Sequence, residues 1–224
     1  MHVLLSGIVG STAYGLAHAG SDIDRLGLFA APTTEFHGLH RPAESHVSTA
    51  PDRTLHEAAK WCRLALGGNP TASELVWLPE DLYEVRTPLG EELIAIRRSF
   101  LAARTVRNSY LGYATQQFRK MTTRDQDDPT GRARAAKNAR HLVRLVEQGL
   151  ALHETGHMVI RLADPDRVRE LGERFAERPA DAQALLAAAE ARFDRPGALP
   201  DQPDEAPAEA WLRRVRAAHL TPVG

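Results

Sequence analysis

Apolar positions change their period part-way along the chain. Up to about residue 90, short extended runs alternate with turn signals. Residues 2–5 form one such run. Residues 23–30, with Leu26, Leu28 and Phe29, predict a strand that Pro32 stops. A Gly/Ser turn followed by a helix over 12–18 lies between them. Residues 33–45 read as a loop or irregular hairpin, and 46–49 as a short strand. Pro51-Asp52-Arg53 introduces a helix with apolar positions Leu55, Ala58, Ala59, Cys62, Leu64, Ala65 and Leu66, ended by Gly67-Gly68. Asn69-Pro70 opens a second short helix that Pro79 halts.

Beyond residue 90 the helical period takes over. Residues 93–100 and 106–121 have helical spacing, and 125–131 read as a polar loop. The strongest amphipathic helix spans 132–152. Its expected buried stripe is Leu142, Leu145, Val146, Gly149 and Leu152, and Lys137, Arg140, His141 and Arg144 fall on the other face. Two more helices are expected over 168–175 and 180–193. Residues 196–207 are rich in Pro and Asp and read as a mobile linker, followed by a short helix carrying Trp211. The predicted organisation is an α/β domain over 1–90, a helical domain over 91–193, and a linker with a short helix over 194–224.

Composition adds limits. The 224 residues are 43% apolar and 25% charged, enough for a real core and unlike a disordered chain. No apolar run approaches the ~20 residues that span a bilayer. The opening residues have no basic leader, and the single cysteine, Cys62, excludes an intramolecular disulfide and a Cys-cluster metal site. These features point to a cytoplasmic protein. The net charge of -1 is unevenly spread: from Arg97 to Arg144, twelve Arg and Lys face three Asp. Such asymmetry suggests a polyanion-binding face.

The chemistry concentrates in Gly10-Ser11-Thr12-Ala13-Tyr14-Gly15 and Gly20-Ser21-Asp22-Ile23-Asp24. Gly10-Ser11 ahead of a helix offers backbone N–H groups and a hydroxyl to phosphate. Asp22 and Asp24, two apart on an expected strand, would share one face. Paired carboxylates are costly without a cation between them, and Mg²⁺ takes such ligands together with substrate phosphates. Two ions about 4 Å apart would activate an attacking oxygen and stabilise the leaving pyrophosphate. The glycines form neither a P-loop nor a dinucleotide fingerprint. A rival reading comes from His153-Glu154-Thr155-Gly156-His157, which formally fits a zinc-hydrolase motif, although Gly156 weakens the helix such a site needs.

The ordered set resembles the DNA polymerase beta nucleotidyltransferase superfamily, and within it the bacterial and phage family associated with RNA repair. Gly68-Asn69-Pro70-Thr71-Ala72-Ser73-Glu74-Leu75, Tyr110-Leu111-Gly112-Tyr113-Ala114, the run from Lys137 to Leu145, and Glu154-Thr155-Gly156 carry the resemblance further. It implies an α+β fold: a small mixed sheet with helices, followed by a C-terminal helical domain. It also implies a magnesium-dependent transfer from an NTP to an acceptor hydroxyl, with manganese as a substitute and an RNA end as the expected acceptor. A third carboxylate on a neighbouring strand is implied; Asp52 is the best match, with Glu57 and Glu44 as fallbacks. Asp22, Asp24 and Asp52 are then the catalytic and metal set. Gly10, Ser11, Tyr14, Lys137, Arg140 and Arg144 are the expected nucleotide-binding residues. A non-catalytic nucleotide- or RNA-binding protein on the same fold, or a protein or small-molecule acceptor, are the alternatives.

Overall fold

A computed structural model describes residues 1–123 and 128–220. Arg124 and residues 125–127 of the polar loop expected over 125–131 lie outside the described residues, while 129–131 belong to a helix. In chain order the elements are β1 (His2–Ile8), α1 (Gly10–Tyr14), β2 (Arg25–Ala30), β3 (Ser45–Thr49), β4 (Asp52–Glu57), α2 (Ala58–Leu66), α3 (Pro70–Glu74), β5 (Tyr83–Arg86), α4 (Pro88–Ala95), α5 (Ala103–Thr122), α6 (Pro129–Thr155), α7 (Pro165–Glu177), α8 (Pro179–Phe193) and α9 (Glu205–Ala218). The fold is α+β, a small mixed sheet with helices followed by a helical region. Its residues divide into two compact units, Met1–Leu101 with the segment from Pro203 onward, and Ala102–Gln202.

The first unit is built on a five-stranded mixed sheet of order β3-β4-β2-β1-β5. β1 runs antiparallel to β2 and β5, and β4 runs parallel to β2. From Leu26 to Ala30 every residue of β2 is buried, as expected of a central strand covered on both faces. β4 corrects the sequence expectation, which began a helix near Pro51. Residues 52–57 instead pair with β2 and, through a hairpin, with β3, and the helix waits until Ala58. Glu57 sets that boundary: its carboxylate accepts from the Ala59 N–H at 2.8 Å and so caps α2. β5 carried no signal that the sequence reading used.

The C-terminal segment is the second correction. Residues 205–218 belong to the first unit rather than standing apart behind a linker. Trp211 is fully buried and its indole N–H donates to the Leu89 carbonyl at 2.8 Å. Arg216 lies over the Phe36 ring at 4.0 Å and ion-pairs with buried Glu57 at 2.7 Å. The Thr33 N–H donates to the His219 carbonyl at 2.9 Å, and the Asp204 N–H to the Ser99 carbonyl at 2.9 Å. Phe29, Ala31 and Leu55 form the cluster on which Val3 and Phe36 pack. Cys62 is core as expected; burial foremost pushes its thiol up to about 12.

The second unit is helical. α5 and α6 form a hairpin in which Gly149 leaves room for the Tyr110 ring. Asp128 caps α6 by accepting from the Gly131 N–H at 3.0 Å. From Leu142 to His153, α6 is buried on most of its circumference and not along one stripe. Residues 194–202 do not hang loose: the Ala198 N–H donates to the His153 carbonyl at 2.8 Å, and the Ala103 N–H to the Pro200 carbonyl at 2.8 Å.

Candidate active site

Gly10 and Asp24 meet at one end of the sheet. The last registered pair of β1 and β2 is Ile8 with Arg25, and one step further the Val9 N–H donates to the Asp24 carbonyl at 2.9 Å. Gly10 then turns the chain into α1 with a φ of 69°, a left-handed conformation that glycine adopts without strain. A Cβ on Gly10 would collide with the Asp24 carboxylate. Glycine is required here by backbone conformation and by close approach alike. Ser11, partly exposed, follows as the second residue of α1.

Asp22 and Asp24 do not lie on a strand, contrary to expectation. Residues 21–24 are irregular, and β2 starts at Arg25. A local turn holds the approach: the Ser21 N–H donates to the His18 carbonyl at 2.9 Å, and the Ser21 hydroxyl accepts from the His18 N–H at 2.9 Å. Asp22 is exposed, whereas Asp24 is half-buried. Arg25 is tied sideways, donating to the Glu84 carboxylate at 2.8 Å.

Asp52 begins β4, the strand beside β2 and parallel to it, so both strands start at the same end of the sheet. It is exposed and pairs with Thr49 across the hairpin. Among the described residues no group of three or more His, Cys, Asp or Glu is gathered tightly enough to hold a metal. Asp22, Asp24 and Asp52 are therefore not a preassembled three-carboxylate cage. Carboxylates repel one another in the absence of a cation. Magnesium is commonly bound through one or two protein carboxylates, with phosphates and water supplying the rest. The fallbacks fare differently. Glu57 is committed to capping α2 and to Arg216, and Glu44 pairs with Arg63.

Tyr14 was expected to touch nucleotide. It is buried instead, and its hydroxyl donates to the Glu74 carboxylate at 2.6 Å. Arg144 was expected on a solvated face; it is 7% exposed and donates to Gln148 Oε1 at 2.6 Å. Arg140 is half-buried, its stem packed on Gly172 and its head paired with Glu173 at 3.3 Å. Of the three, only Lys137 is exposed. The zinc reading has no support in the geometry. His153 is buried with its Nε2 at 2.8 Å from the Arg195 carbonyl, Glu154 is forked by Arg192, and Gly156 ends α6 with a φ of 66° before His157.

A sequence profile of the RNA repair pathway DNA polymerase beta family matches residues 1–198. The chain belongs to this family. Membership supports a nucleotidyltransferase-type role in RNA repair. The match runs through both compact units and stops short of α9, which is nonetheless built into the first. No curated protein matches the chain.

Two site features were missed by sequence reasoning: the Gly10–Asp24 approach and the Tyr14–Glu74 bond. Nothing in the spacing of these strings says which of their residues touch.

Proposed function

We propose that the chain transfers a nucleoside monophosphate from an NTP to an acceptor hydroxyl at an RNA end, releasing pyrophosphate. The observation that carries this reading is the Asp24 carboxylate lying against Gly10, with Ser11 next and Asp22 two residues before. A carboxylate beside a glycine turn is a place where a cation and the phosphates it accompanies share one cradle. Asp22 and Asp24 would hold the magnesium, or manganese in its stead. Bound there, the ion supplies charge stabilisation to the oxygens of the reacting phosphate. Gly10 and Ser11 bind the terminal phosphates through backbone N–H and hydroxyl. The acceptor oxygen bonds to the α-phosphorus as the bond to the bridging oxygen breaks, and Asp52, at the same end of the sheet, takes the acceptor's proton.

RNA as the acceptor class is supported by the family's description and by the basic stretch of α5 and α6. A non-catalytic nucleotide binder is the weaker alternative, because both members of the carboxylate pair are intact. The test is incubation with each labelled NTP, magnesium or manganese, and a mixed RNA pool. Label on RNA 3′ ends is expected. Label on a protein or small molecule would change the acceptor, and no label with nucleotide bound would favour the non-catalytic reading.

A further inference from the structure

We propose that Glu74 is a positioning residue for the nucleotide's triphosphate, acting through Tyr14; this rests on the nucleotidyl-transfer reading above. Their hydrogen bond joins strings sixty residues apart, Gly10 to Gly15 and Gly68 to Leu75. Both side chains are buried, Tyr14 at 4% and Glu74 at 1% exposure. A carboxylate that deep is costly unless donors meet its oxygens, so the contact constrains both partners.

The constraint falls on a short element. α1 is five residues long, with Gly10 and Ser11 at its start and Tyr14 at its end. Val9 gives it no side-chain cap, and Gly15 ends it in a left-handed turn with a φ of 79°. A single turn of helix has little stability of its own. Its entry is fixed by the Val9–Asp24 backbone bond and its exit by Tyr14 on Glu74. Glu74 is itself presented from a braced piece. Asn69 caps α3 by accepting from the Ala72 N–H at 3.0 Å, and the Trp61 indole donates to the Ala72 carbonyl at 3.1 Å. Buried as it is, Tyr14 does not offer its ring to a base. The pair instead sets where Gly10 and Ser11 stand relative to Asp24, and displacements of about 1 Å at such a cradle cost up to a hundredfold.

The test compares Tyr14→Phe, Glu74→Leu and Glu74→Gln. Phenylalanine keeps the ring and removes the donor. Leucine removes the acceptor, and glutamine restores one. Binding of the four NTPs with magnesium, and of inorganic triphosphate as a competitor, is measured well below each variant's melting temperature. Tyr14→Phe and Glu74→Leu should weaken the best NTP and inorganic triphosphate in parallel, by about tenfold. Glu74→Gln should recover most of that loss. Lower melting temperatures with unchanged affinities for both probes would overturn the proposal and leave the pair structural. If the parent protein binds no NTP at all, the nucleotidyl-transfer reading fails, and the positioning role falls with it. Equal binding by parent and Tyr14→Phe, with the fold intact, removes the positioning role alone.

Discussion

The Asp24 carboxylate lies against the Cα of Gly10, leaving no space for a side chain between them. Gly10→Ala should therefore act twice. It strains a residue held at a φ of 69° by roughly 1 kcal/mol, and it pushes the carboxylate away from the turn. Transfer should drop at least a hundredfold while circular dichroism stays that of the parent. Near-parental kcat/KM would show that the close approach has no part in the chemistry.

Asp22→Ala and Asp24→Ala should each abolish transfer while circular dichroism stays that of the parent. Asp52→Asn should lose about a hundredfold or more, the scale of a lost proton acceptor. Ser11→Ala should cost roughly ten- to a hundredfold, one or two charge-assisted hydrogen bonds to phosphate. Single-turnover rates check all four. A threefold effect or less at either Asp22 or Asp24 would remove the metal-site assignment.

For RNA contact the structure shifts attention along the basic helices. Arg144 is buried and Arg140 is tied to Glu173, whereas Lys137 and Lys120 are exposed. Both lysines press their charge on His141. Lys120→Gln with Lys137→Gln should weaken RNA binding nearly uniformly across sequences and flatten the salt dependence by about 2 units. Arg144→Gln should instead lower the melting temperature, since it disturbs a buried contact to Gln148. Titrations at several salt concentrations separate the two outcomes; an unchanged salt slope in the double lysine variant would exclude this surface.

His141 gives the second unit a pH signature. Burial above all, then Arg144, Lys137, Arg140 and Lys120, pushes its imidazole down to about 4. The folded chain thus resists a proton that the unfolded chain accepts near 6.5. The stabilisation is complete above pH 6.5, is lost as pH falls toward 4, and amounts to roughly 3 kcal/mol. Urea melts between pH 7 and 4 should show the decline, and His141→Gln should flatten it. A bound polyanion would screen the neighbouring cations and raise the His141 titration midpoint, which imidazole proton resonances report.

Helix α9 should be indispensable to the first unit although the family match ends before it. Trp211→Ala leaves a large void and an unmet Leu89 carbonyl, a loss of about 3–5 kcal/mol. Removing α9 also strips Glu57 of Arg216, leaving a buried carboxylate without its cation. Denaturant unfolding of both variants checks this; parental stability after truncation would show that the helix only rests on the surface.

Sequence alone determined the local grammar and the family to which the chain belongs. Gly10-Ser11 and the Asp22/Asp24 pair carry that resemblance in residue type and short spacing. The helices of the second half were legible because a 3.6-residue period persists over three to seven turns in most of them. Tertiary structure decided what spacing does not encode. Residues 52–57 became a strand through their pairing with β2, overriding a helical reading of Leu55. Arg144, polar by letter, went inside because Gln148 meets it there. Residues 205–218 joined the first unit because Trp211 and Arg216 found partners more than a hundred residues earlier in the chain. Tyr14 met Glu74 for the same reason: contacts between distant segments are selected by the packing of the whole unit, and neither string carries that information by itself.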